Sequence, residues 1–416
     1  MNESTPLKLA VVGAGPVGLA LALHASNALP EAEITLFDAR PVDKDVSGDP
    51  RTLALSFGSV QLLERLGAWR PESAQAISEV HVSQQAPSLI AAFSSRFGEP
   101  ELTIRASDEA VPMLGAVLSY GAIVAPLQEV WLAAERREPK RLFSRFGAKV
   151  EALKNVADPA GVEVDAGIAE RFDLAVIAEG GVFATSAKKE LIAGERSPAL
   201  RHDYGQTAWV GIATFAKGAA GSPPSSFTQG VAYERFTRHG PAALLPLKDG
   251  RAGLVWCVDS ADDPVRELND AQRVTVLNTI FHPRTPRLAS VSPLKNFPLG
   301  MSAERTLTDR RTVRIGNAAQ TLHPVAGQGL NLGMRDAFEL VRSLARNRDV
   351  DAVLRKLEWQ RAPARWAMIA ATDFLARSFT WTLPGAGAAR GLGIAVLQAL
   401  GPVKSAIARQ MMFGSR

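Results

Sequence analysis

Three glycines and one carboxylate near the start of the chain have the types and the spacing of a phosphate-binding turn. The apolar run "LKLAVV" leads into "GAGPVG", the helical run "LALALHASNAL" follows, and "AEITLFDAR" reads as a second strand. Gly13 allows a tight turn, Gly15 lets the backbone approach a pyrophosphate, and Gly18 allows close packing of helix on strand. Asp38, twenty residues beyond Gly18, is placed to accept hydrogen bonds from an adenosine ribose. This βαβ unit predicts dinucleotide binding and leaves open whether the ligand is NAD or FAD.

A second glycine pair lies in "RIGNAAQTLHPVAGQGLNLGMRDAFEL", where Gly327 and Gly329 immediately precede a helical pattern. If the strand "TVRIG" returns to the same sheet, Asn317 can hydrogen-bond a ribitol or phosphate group. The bare backbone at the two glycines would then pass under a flat ring. The positive end of the helix starting near Leu330 would stabilise an anion by roughly 0.3–2 kcal/mol, as a reduced flavin requires. The alternative is a glycine-rich loop that only packs two layers together.

The elements that position these residues form an α/β protein. At 416 residues and 46% hydrophobic residues, the chain can build two or three units with ample cores. The short strands "TAWVGIATFAK", "GVAYERFT", "AALLPLKD" and "RAGLVWCVD", separated by turn residues, predict an antiparallel sheet domain that interrupts the nucleotide-binding domain. We predict a nucleotide-binding domain at 1–72, 101–182 and 286–370, a substrate domain at 73–100 and 183–285, and a helical C-terminal tail at 371–416.

Composition excludes several classes of protein. Cys257 is the single cysteine, which rules out a disulfide within the chain. The six histidines show neither HExxH nor a two-histidine, one-carboxylate spacing, so no metal site is expected. The basic residues are dispersed with no aromatic platform between them, which argues against nucleic-acid binding.

The ends of the sequence bear on where the protein works. The N-terminal residues show no signal-peptide pattern and no apolar run is long enough to span a membrane, so we expect a cytoplasmic protein. From Phe374 to Arg416 there are five basic residues and no acidic ones, for a chain of formal net charge +5. This tail is either a helical hairpin with a solvated basic edge or a surface that makes peripheral contact with anionic lipid at the inner membrane.

Three long motifs resemble a known family. "GAGPVGL", "DPRTLALSFGSVQLLERLGAW" and "GNAAQTLHPVAGQGLNLGMRDA" are similar to the class A flavoprotein aromatic hydroxylases, which have the para-hydroxybenzoate hydroxylase fold. Within that class they resemble the ubiquinone-biosynthesis hydroxylases. The motif "GNAAQTLHPVAGQG", where most relatives have "GDAAH", resembles that of the branch that acts on 2-polyprenyl-6-methoxyphenol.

The resemblance implies an extended FAD and assigns residues to it. Gly13, Gly15 and Gly18 would meet the pyrophosphate and Asp38 the adenosine ribose. Arg51 would lie beside the pyrophosphate, although it could equally be a surface charge, and Asn317 would replace the family's Asp near the ribityl chain. The residues expected to edge the flavin ring are Pro324, Gly327, Gly329, Leu330 and Asn331, with His323 and Gln328 nearby.

Two segments depart from the family pattern. The family's second dinucleotide motif has Asp-Gly followed by a Ser and an Arg, whereas "AEGGVFATSAKK" has Glu179 and no matching Arg. The segment "LSYGAIVAPLQEVW" lacks the family's usual adenine-contacting residues. How NAD(P)H docks and what holds the adenine therefore stay open.

The implied activity is that of an NAD(P)H- and O₂-dependent monooxygenase. A C4a-hydroperoxyflavin would deliver oxygen to the ring of a polyprenylated phenol in ubiquinone biosynthesis, within a biosynthetic assembly or alone. The flavin would carry the chemistry, and no protein base can be named from the sequence. The alternatives are a flavin hydroxylase or FAD oxidoreductase with another substrate and a non-catalytic flavoprotein scaffold.

Overall fold

The description rests on a computed structural model and covers residues 6–85, 100–179, 199–216, 229–324, 327–378 and 386–414. Its helices are α1 (Pro16–Ala28), α2 (Phe57–Arg65), α3 (Tyr120–Arg137), α4 (Asp270–Ile280), α5 (Gln328–Arg346), α6 (Val350–Ser378), α7 (Ala386–Ala399) and α8 (Gly401–Phe413).

The described residues also form twenty-one strands. They are β1 (Lys8–Val12), β2 (Glu33–Asp38), β3 (Thr52–Ser56), β4 (Gln75–Ile77), β5 (Glu79–Gln84), β6 (Glu101–Arg105), β7 (Gly115–Ser119), β8 (Leu142–Phe146), β9 (Ala152–Val156), β10 (Gly161–Asp165), β11 (Ala169–Phe172), β12 (Leu174–Ile177), β13 (Leu200–Phe215), β14 (Val231–Thr237), β15 (Gly240–Leu247), β16 (Arg251–Asp259), β17 (Leu288–Val291), β18 (Lys295–Ala303), β19 (Thr308–Asp309), β20 (Thr312–Arg314) and β21 (Gln320–Thr321).

A parallel sheet forms the base of the nucleotide-binding part. Its order is β19-β20-β12-β1-β2-β8, and all neighbours pair in parallel except the edge strand β19. β1 reads as a continuous apolar run because it is buried on both faces, from Leu9 to Val12. Helices α1, α3 and α5 pack on this sheet, and their apolar side chains join one large core. The predicted α/β class is confirmed.

The second large sheet is mostly antiparallel. Its order is β21-β18-β13-β16-β15-β14-β5-β6, with β17 also paired to β13 and a single parallel pair between β14 and β5. Helix α4 covers one face, where Leu277 packs among the apolar side chains of the central strands. Alternating burial along β15 and the apolar face of β16 explain why the sequence shows this sheet clearly.

Sheet pairing differs from the predicted division of the chain at several places, and three strands show this most clearly. β6 pairs with β5, and β17 and β18 pair with β13, so all three strands lie in the large sheet. The prediction had assigned them to the nucleotide-binding domain. Their partners are distant in sequence, and strand periodicity does not reveal which sheet a strand joins. The division of the chain into domains itself stays a prediction.

The chain ends on two helices that bridge the sheets. α8 buries Ala408 and Met412 in a small core that also receives Ile104 from β6 and Val117 from β7. The ring of Phe413 meets that of Phe57, the first residue of α2, edge to face at 5.8 Å. The tail is therefore helical over its described part and packs against the body of the protein.

Candidate flavin-binding site

The first glycine loop connects β1 to α1 and leaves its backbone accessible at one position. Gly13 has φ +105°, and a Cβ there would lie 2.9 Å from backbone atoms of Glu179. A Cβ on Gly18 would lie 1.9 Å from the carbonyl oxygen of Gly13, so helix and strand pack as predicted. A Cβ on Gly15 would meet only the Tyr120 hydroxyl, at 3.6 Å. Gly13 and Gly18 are thus required by packing, whereas Gly15 keeps space open beside the helix start.

Asp38 ties the end of β2 to this loop. Its carboxylate accepts hydrogen bonds from the backbone N–H groups of Ala14 at 2.6 Å and Arg40 at 2.7 Å. Each carboxylate oxygen retains a lone pair, so a ribose hydroxyl can still bind. Arg40 donates to the side chain of Gln128 at 2.9 Å, and its guanidinium lies over the Phe146 ring at 5.5 Å. The sequence analysis predicted no role for Arg40 or Gln128 at this loop, although the tripeptide "DAR" places an arginine two residues after the acid.

Arg51 reaches the loop indirectly. Its guanidinium makes a bidentate contact with Asp49, with nitrogen–oxygen distances of 2.8–3.1 Å, and lies 4.0 Å from the centre of the Tyr120 ring. The Arg51 side chain is 63% exposed and available to an incoming anion. Its hydrogen bond with Asp49 lowers the pKa of that carboxyl and raises the pKa of Arg51. Tyr120, which the sequence reading missed, connects Arg51 to Gly15.

The second glycine loop begins α5. Gly327 is the N-cap in the left-handed region, with φ +58°, and its N–H donates to the carbonyl of Pro324 at 3.0 Å. A Cβ on Gly327 would lie 3.5 Å from Ala54 of β3, and one on Gly329 would lie 3.8 Å from the side-chain oxygen of Asn317. The structure therefore brings Asn317, Gly327 and Gly329 together, with the exposed Pro324 at the rim.

Asn331 is fully committed to hydrogen bonds within the protein. Its oxygen accepts from the Ser56 N–H at 2.7 Å and the Ser59 hydroxyl at 2.8 Å, and its nitrogen donates to the carbonyls of Ala54 and Gly327, both at 3.0 Å. The side chain is buried. Asn331 fastens the start of α5 to β3 and α2, and it would shape a flavin site through position. Leu330 beside it packs against the main core.

His323 joins the second loop to the large sheet. Its Nε2 lies 2.9 Å from the side-chain oxygen of Gln206 on β13, and its ring meets Tyr204 edge to face at 5.2 Å. Burial lowers the pKa of His323 to about 4, so the imidazole is neutral at pH 7. Gln328 is buried as well. Burial holds both side chains in the wall behind the loop.

The two glycine-led helices differ from their neighbours in how they begin. The side chains of Ser56, Ser119 and Asn269 cap α2, α3 and α4 by accepting hydrogen bonds from backbone N–H groups in the first turn. Among the described residues no side chain caps α1 or α5, and neither has an acidic residue in its first turn. Uncapped N-terminal N–H groups attract anions. Two such ends on one sheet edge, at Gly15 and Gly327, fit a pyrophosphate and the polar edge of a flavin.

Solved structures share this architecture from end to end. The structure resembles p-nitrophenol 4-monooxygenase of Pseudomonas putida, with a TM-score of 0.68, 15% identity and 99% coverage of both chains. It also resembles Klebsiella pneumoniae HpxO complexed with FAD and uric acid, with a TM-score of 0.66, 16% identity and coverage of 98% of this chain and 97% of that one. These likenesses establish the fold.

A family profile described as an FAD binding domain matches residues 204–372, which run from β13 through the second glycine loop into α6. Together with the fold and the two glycine loops, this match identifies FAD as the cofactor of the protein. The prediction of FAD as cofactor is confirmed. The hydroxylases to which the chain is similar in sequence confirm the prediction of an FAD-dependent monooxygenase.

Two curated relatives are hydroxylases of ubiquinone biosynthesis. The chain is 28% identical to 3-demethoxyubiquinol 3-hydroxylase of Escherichia coli over 408 residues, 96% of each chain. It is 26% identical to the mitochondrial ubiquinone biosynthesis monooxygenase COQ6 of Caenorhabditis elegans, covering 97% of this chain and 95% of the relative. The resemblance to the ubiquinone-biosynthesis hydroxylases is thereby confirmed.

Two expectations concern other parts of the chain. Most of "AEGGVFATSAKK" lies outside the described residues. Only Ala178 and Glu179 can be placed, and both lie at the glycine loop beside Gly13. Within the described residues no single helix has the length and hydropathy to cross a membrane. The α7–α8 pair, bent by 95° between Ala389–Ala399 and Gly401–Phe413, meets both criteria only when the two helices are taken together.

Proposed function

We propose that the protein hydroxylates the aromatic ring of a polyprenylated phenol in ubiquinone biosynthesis, using NAD(P)H and O₂. The observation that carries the proposal is the match along 96% of the chain to a hydroxylase of this kind, on a fold with two uncapped glycine-led helices. The branch that acts on 2-polyprenyl-6-methoxyphenol stays our preferred assignment, on the motif "GNAAQTLHPVAGQG".

FAD, when bound, supplies hydride acceptance and oxygen activation. The chain's own residues bind and orient it. The uncapped start of α1 beside Gly15 takes the pyrophosphate, Asp38 takes the adenosine ribose, and Arg51 supplies positive charge nearby. The start of α5 at Gly327 and Gly329 stabilises negative charge on the ring, with Asn317 toward the ribityl chain.

The loop around the flavin is held by neutral, water-excluding contacts. The buried pair His323 and Gln206 fixes the loop against β13, and Asn331 fixes it against β3. Because the His323 imidazole is neutral, it adds no cation that would compete with the helix end for the reduced ring. Buried side chains of this kind would help to keep water from a reactive oxygenating centre.

The test is the fate of molecular oxygen. The FAD-loaded protein is given NADH or NADPH, ¹⁸O₂ and a short-chain prenylated methoxyphenol, and the products are analysed by mass spectrometry. Incorporation of one ¹⁸O atom into the ring supports the proposal. Reduction of the flavin with no labelled product, and peroxide in its place, would indicate an FAD oxidoreductase. Failure of NAD(P)H to bleach the bound flavin would favour a non-catalytic scaffold, within a biosynthetic assembly or outside one.

Contact with a membrane would give access to so hydrophobic a substrate. Helices α7 and α8 expose large apolar side chains at four-residue spacing in each helix. The resulting apolar stripe consists of Leu392, Val396, Leu400, Val403 and Ile407, each 39–57% exposed. Burying them in lipid would contribute roughly 1 kcal/mol each, about 5 kcal/mol before the cost of association. We propose peripheral binding through this stripe.

The basic residues of the tail are less available than the sequence indicates. Lys404 donates to the carbonyl of Thr103 at 3.2 Å and lies 3.9 Å from Asp108, and Arg409 contacts the buried Glu109 at 3.1 Å. Acidic residues of the body therefore offset part of the tail's charge. The apolar stripe is the stronger basis for membrane contact, and binding should persist in high salt.

Co-sedimentation with vesicles of neutral and of mixed anionic phospholipid tests this proposal. Val396→Asp combined with Val403→Asp should reduce partitioning at least tenfold in both lipids. Ile168→Asp, at an exposed apolar residue in the turn between β10 and β11, should leave partitioning unchanged. Equal partitioning of the three proteins would refute a role of the stripe, while binding to anionic vesicles alone would indicate that charge dominates.

A further inference from the structure

Three residues from separate elements converge on the large sheet away from the glycine loops. His81 lies on β5, Glu101 begins β6, and His282 follows α4. The Nε2 atom of His81 is 2.9 Å from Oε2 of Glu101, and Nε2 of His282 is 3.9 Å from the same oxygen. The three candidate ligand atoms all lie within 4.8 Å of one another. Sequence spacing could not show this cluster, because the residues are 20 and 181 positions apart.

The cluster is largely protected from solvent. The side chains of His81, His282 and Glu101 are 2%, 12% and 29% exposed. Nη2 of Arg284 lies 3.3 Å from Oε1 of Glu101 and leaves Oε2 to the two imidazoles.

We propose that His81, Glu101 and His282 bind one divalent transition-metal ion, with Zn²⁺ the best match to two imidazoles and a carboxylate. Metal–ligand bonds of about 2.1 Å in a tetrahedral site place ligand atoms about 3.4 Å apart. The two measured separations lie on either side of that value. Small side-chain rotations would therefore form the site, with water as the fourth ligand.

The residues around the cluster determine how strongly it should bind a metal ion and what the ion would connect. Nδ1 of His81 is buried without a hydrogen-bond partner among the described residues, and its ring packs near Tyr233. Missing outer-shell support typically weakens metal binding ten- to a hundredfold, so we expect weaker binding than at a site with a complete outer shell. The ion would connect β5 and the edge strand β6 to the segment after α4. His282 also lines a pocket of about 420 Å³, so the site would form part of that pocket's wall.

Titration of the FAD-loaded, chelator-treated protein with Co²⁺ tests the site. Tetrahedral coordination by nitrogen and oxygen gives visible d–d absorption, and equilibrium dialysis gives the stoichiometry. We expect one ion per chain, displaced by Zn²⁺. Glu101→Gln and His282→Asn should each weaken binding at least tenfold while leaving FAD content and circular dichroism unchanged. His239→Asn, at a histidine outside the cluster, should bind Co²⁺ as the wild type does.

Two results would overturn the proposal. One is the absence of saturable Co²⁺ uptake by the wild-type protein. The other is equal uptake by the wild type, Glu101→Gln and His282→Asn, which would assign the ion to other surface groups. Because the readouts are metal stoichiometry and absorption, hydroxylase activity plays no part in either outcome.

Discussion

Replacing Gly15 by alanine should separate cofactor binding from folding. Gly15 has φ −79° and ψ −177°, which alanine adopts without strain, and the added Cβ would meet only the Tyr120 hydroxyl at 3.6 Å. Loss of backbone freedom in the unfolded chain stabilises the variant by about 0.4–1 kcal/mol. A poorer N-cap costs about the same. The unfolding free energy of the FAD-free variant should therefore stay within about 1 kcal/mol of wild type.

FAD binding should respond differently. The methyl group would occupy the gap through which a pyrophosphate approaches the start of α1, so we expect at least about a hundredfold weaker binding, or about 2.8 kcal/mol. Gly18→Ala is the contrasting variant, because its Cβ would lie 1.9 Å from the Gly13 carbonyl oxygen. Such overpacking should destabilise even the FAD-free protein by about 1–3 kcal/mol or more.

The assay combines two measurements on each protein. Urea unfolding of the FAD-free form gives the unfolding free energy, and quenching of flavin fluorescence on titration gives the dissociation constant. If Gly15→Ala binds FAD as the wild type does, the pyrophosphate does not approach this backbone and our placement of the cofactor is wrong. If Gly15→Ala loses stability to the same extent as Gly18→Ala, Gly15 is a packing residue.

Three further predictions concern buried side chains. Asn331→Ala removes four hydrogen bonds, so it should lower the free energy of unfolding in urea by about 3 kcal/mol and weaken FAD retention. The control is Asn347→Ala, at the exposed end of the same helix, which should lower the free energy of unfolding by less than about 0.5 kcal/mol. Because the folded-state pKa of His323, about 4, lies below its unfolded value near 6.5, its contribution to stability is intact above pH 6.5 and lost as the pH falls toward 4. The free energy of unfolding of the wild type, measured in urea, should fall by about 2 kcal/mol through protonation of His323 between pH 7.5 and 5. The fall should be smaller by that amount for His323→Gln. Burial raises the pKa of the Cys257 thiol, so a thiol reagent should label the native protein far more slowly than the urea-unfolded protein.

Several features could be predicted from the sequence because the relevant physics is local. The buried run of β1, the turn at Gly13 and the packing of Gly18 are fixed by residues within one βαβ unit. The start of α5 at Gly327 follows from the same logic, since a left-handed N-cap favours glycine. The alternation in β15 and β16 likewise indicated an antiparallel sheet before any partner was known.

Other features depended on contacts between residues far apart in the chain. Asn331 looked like a flavin contact, but its amide is occupied by β3 and α2. His323 finds its partner Gln206 117 positions away, and Arg409 of the tail finds Glu109 300 positions away. No short-range pattern reveals such pairs.

The sequence by itself determined which positions need glycine and which segments form strands and helices. The steric limits of turns and the periodicity of apolar residues both act over a few residues. Only the tertiary structure decided which sheet β6, β17 and β18 join. It also decided that the tail's cations meet acidic partners and that His81, Glu101 and His282 converge. These outcomes depend on burial and on pairing across long loops, where the choice among many sterically allowed partners is made by the packing of the whole chain.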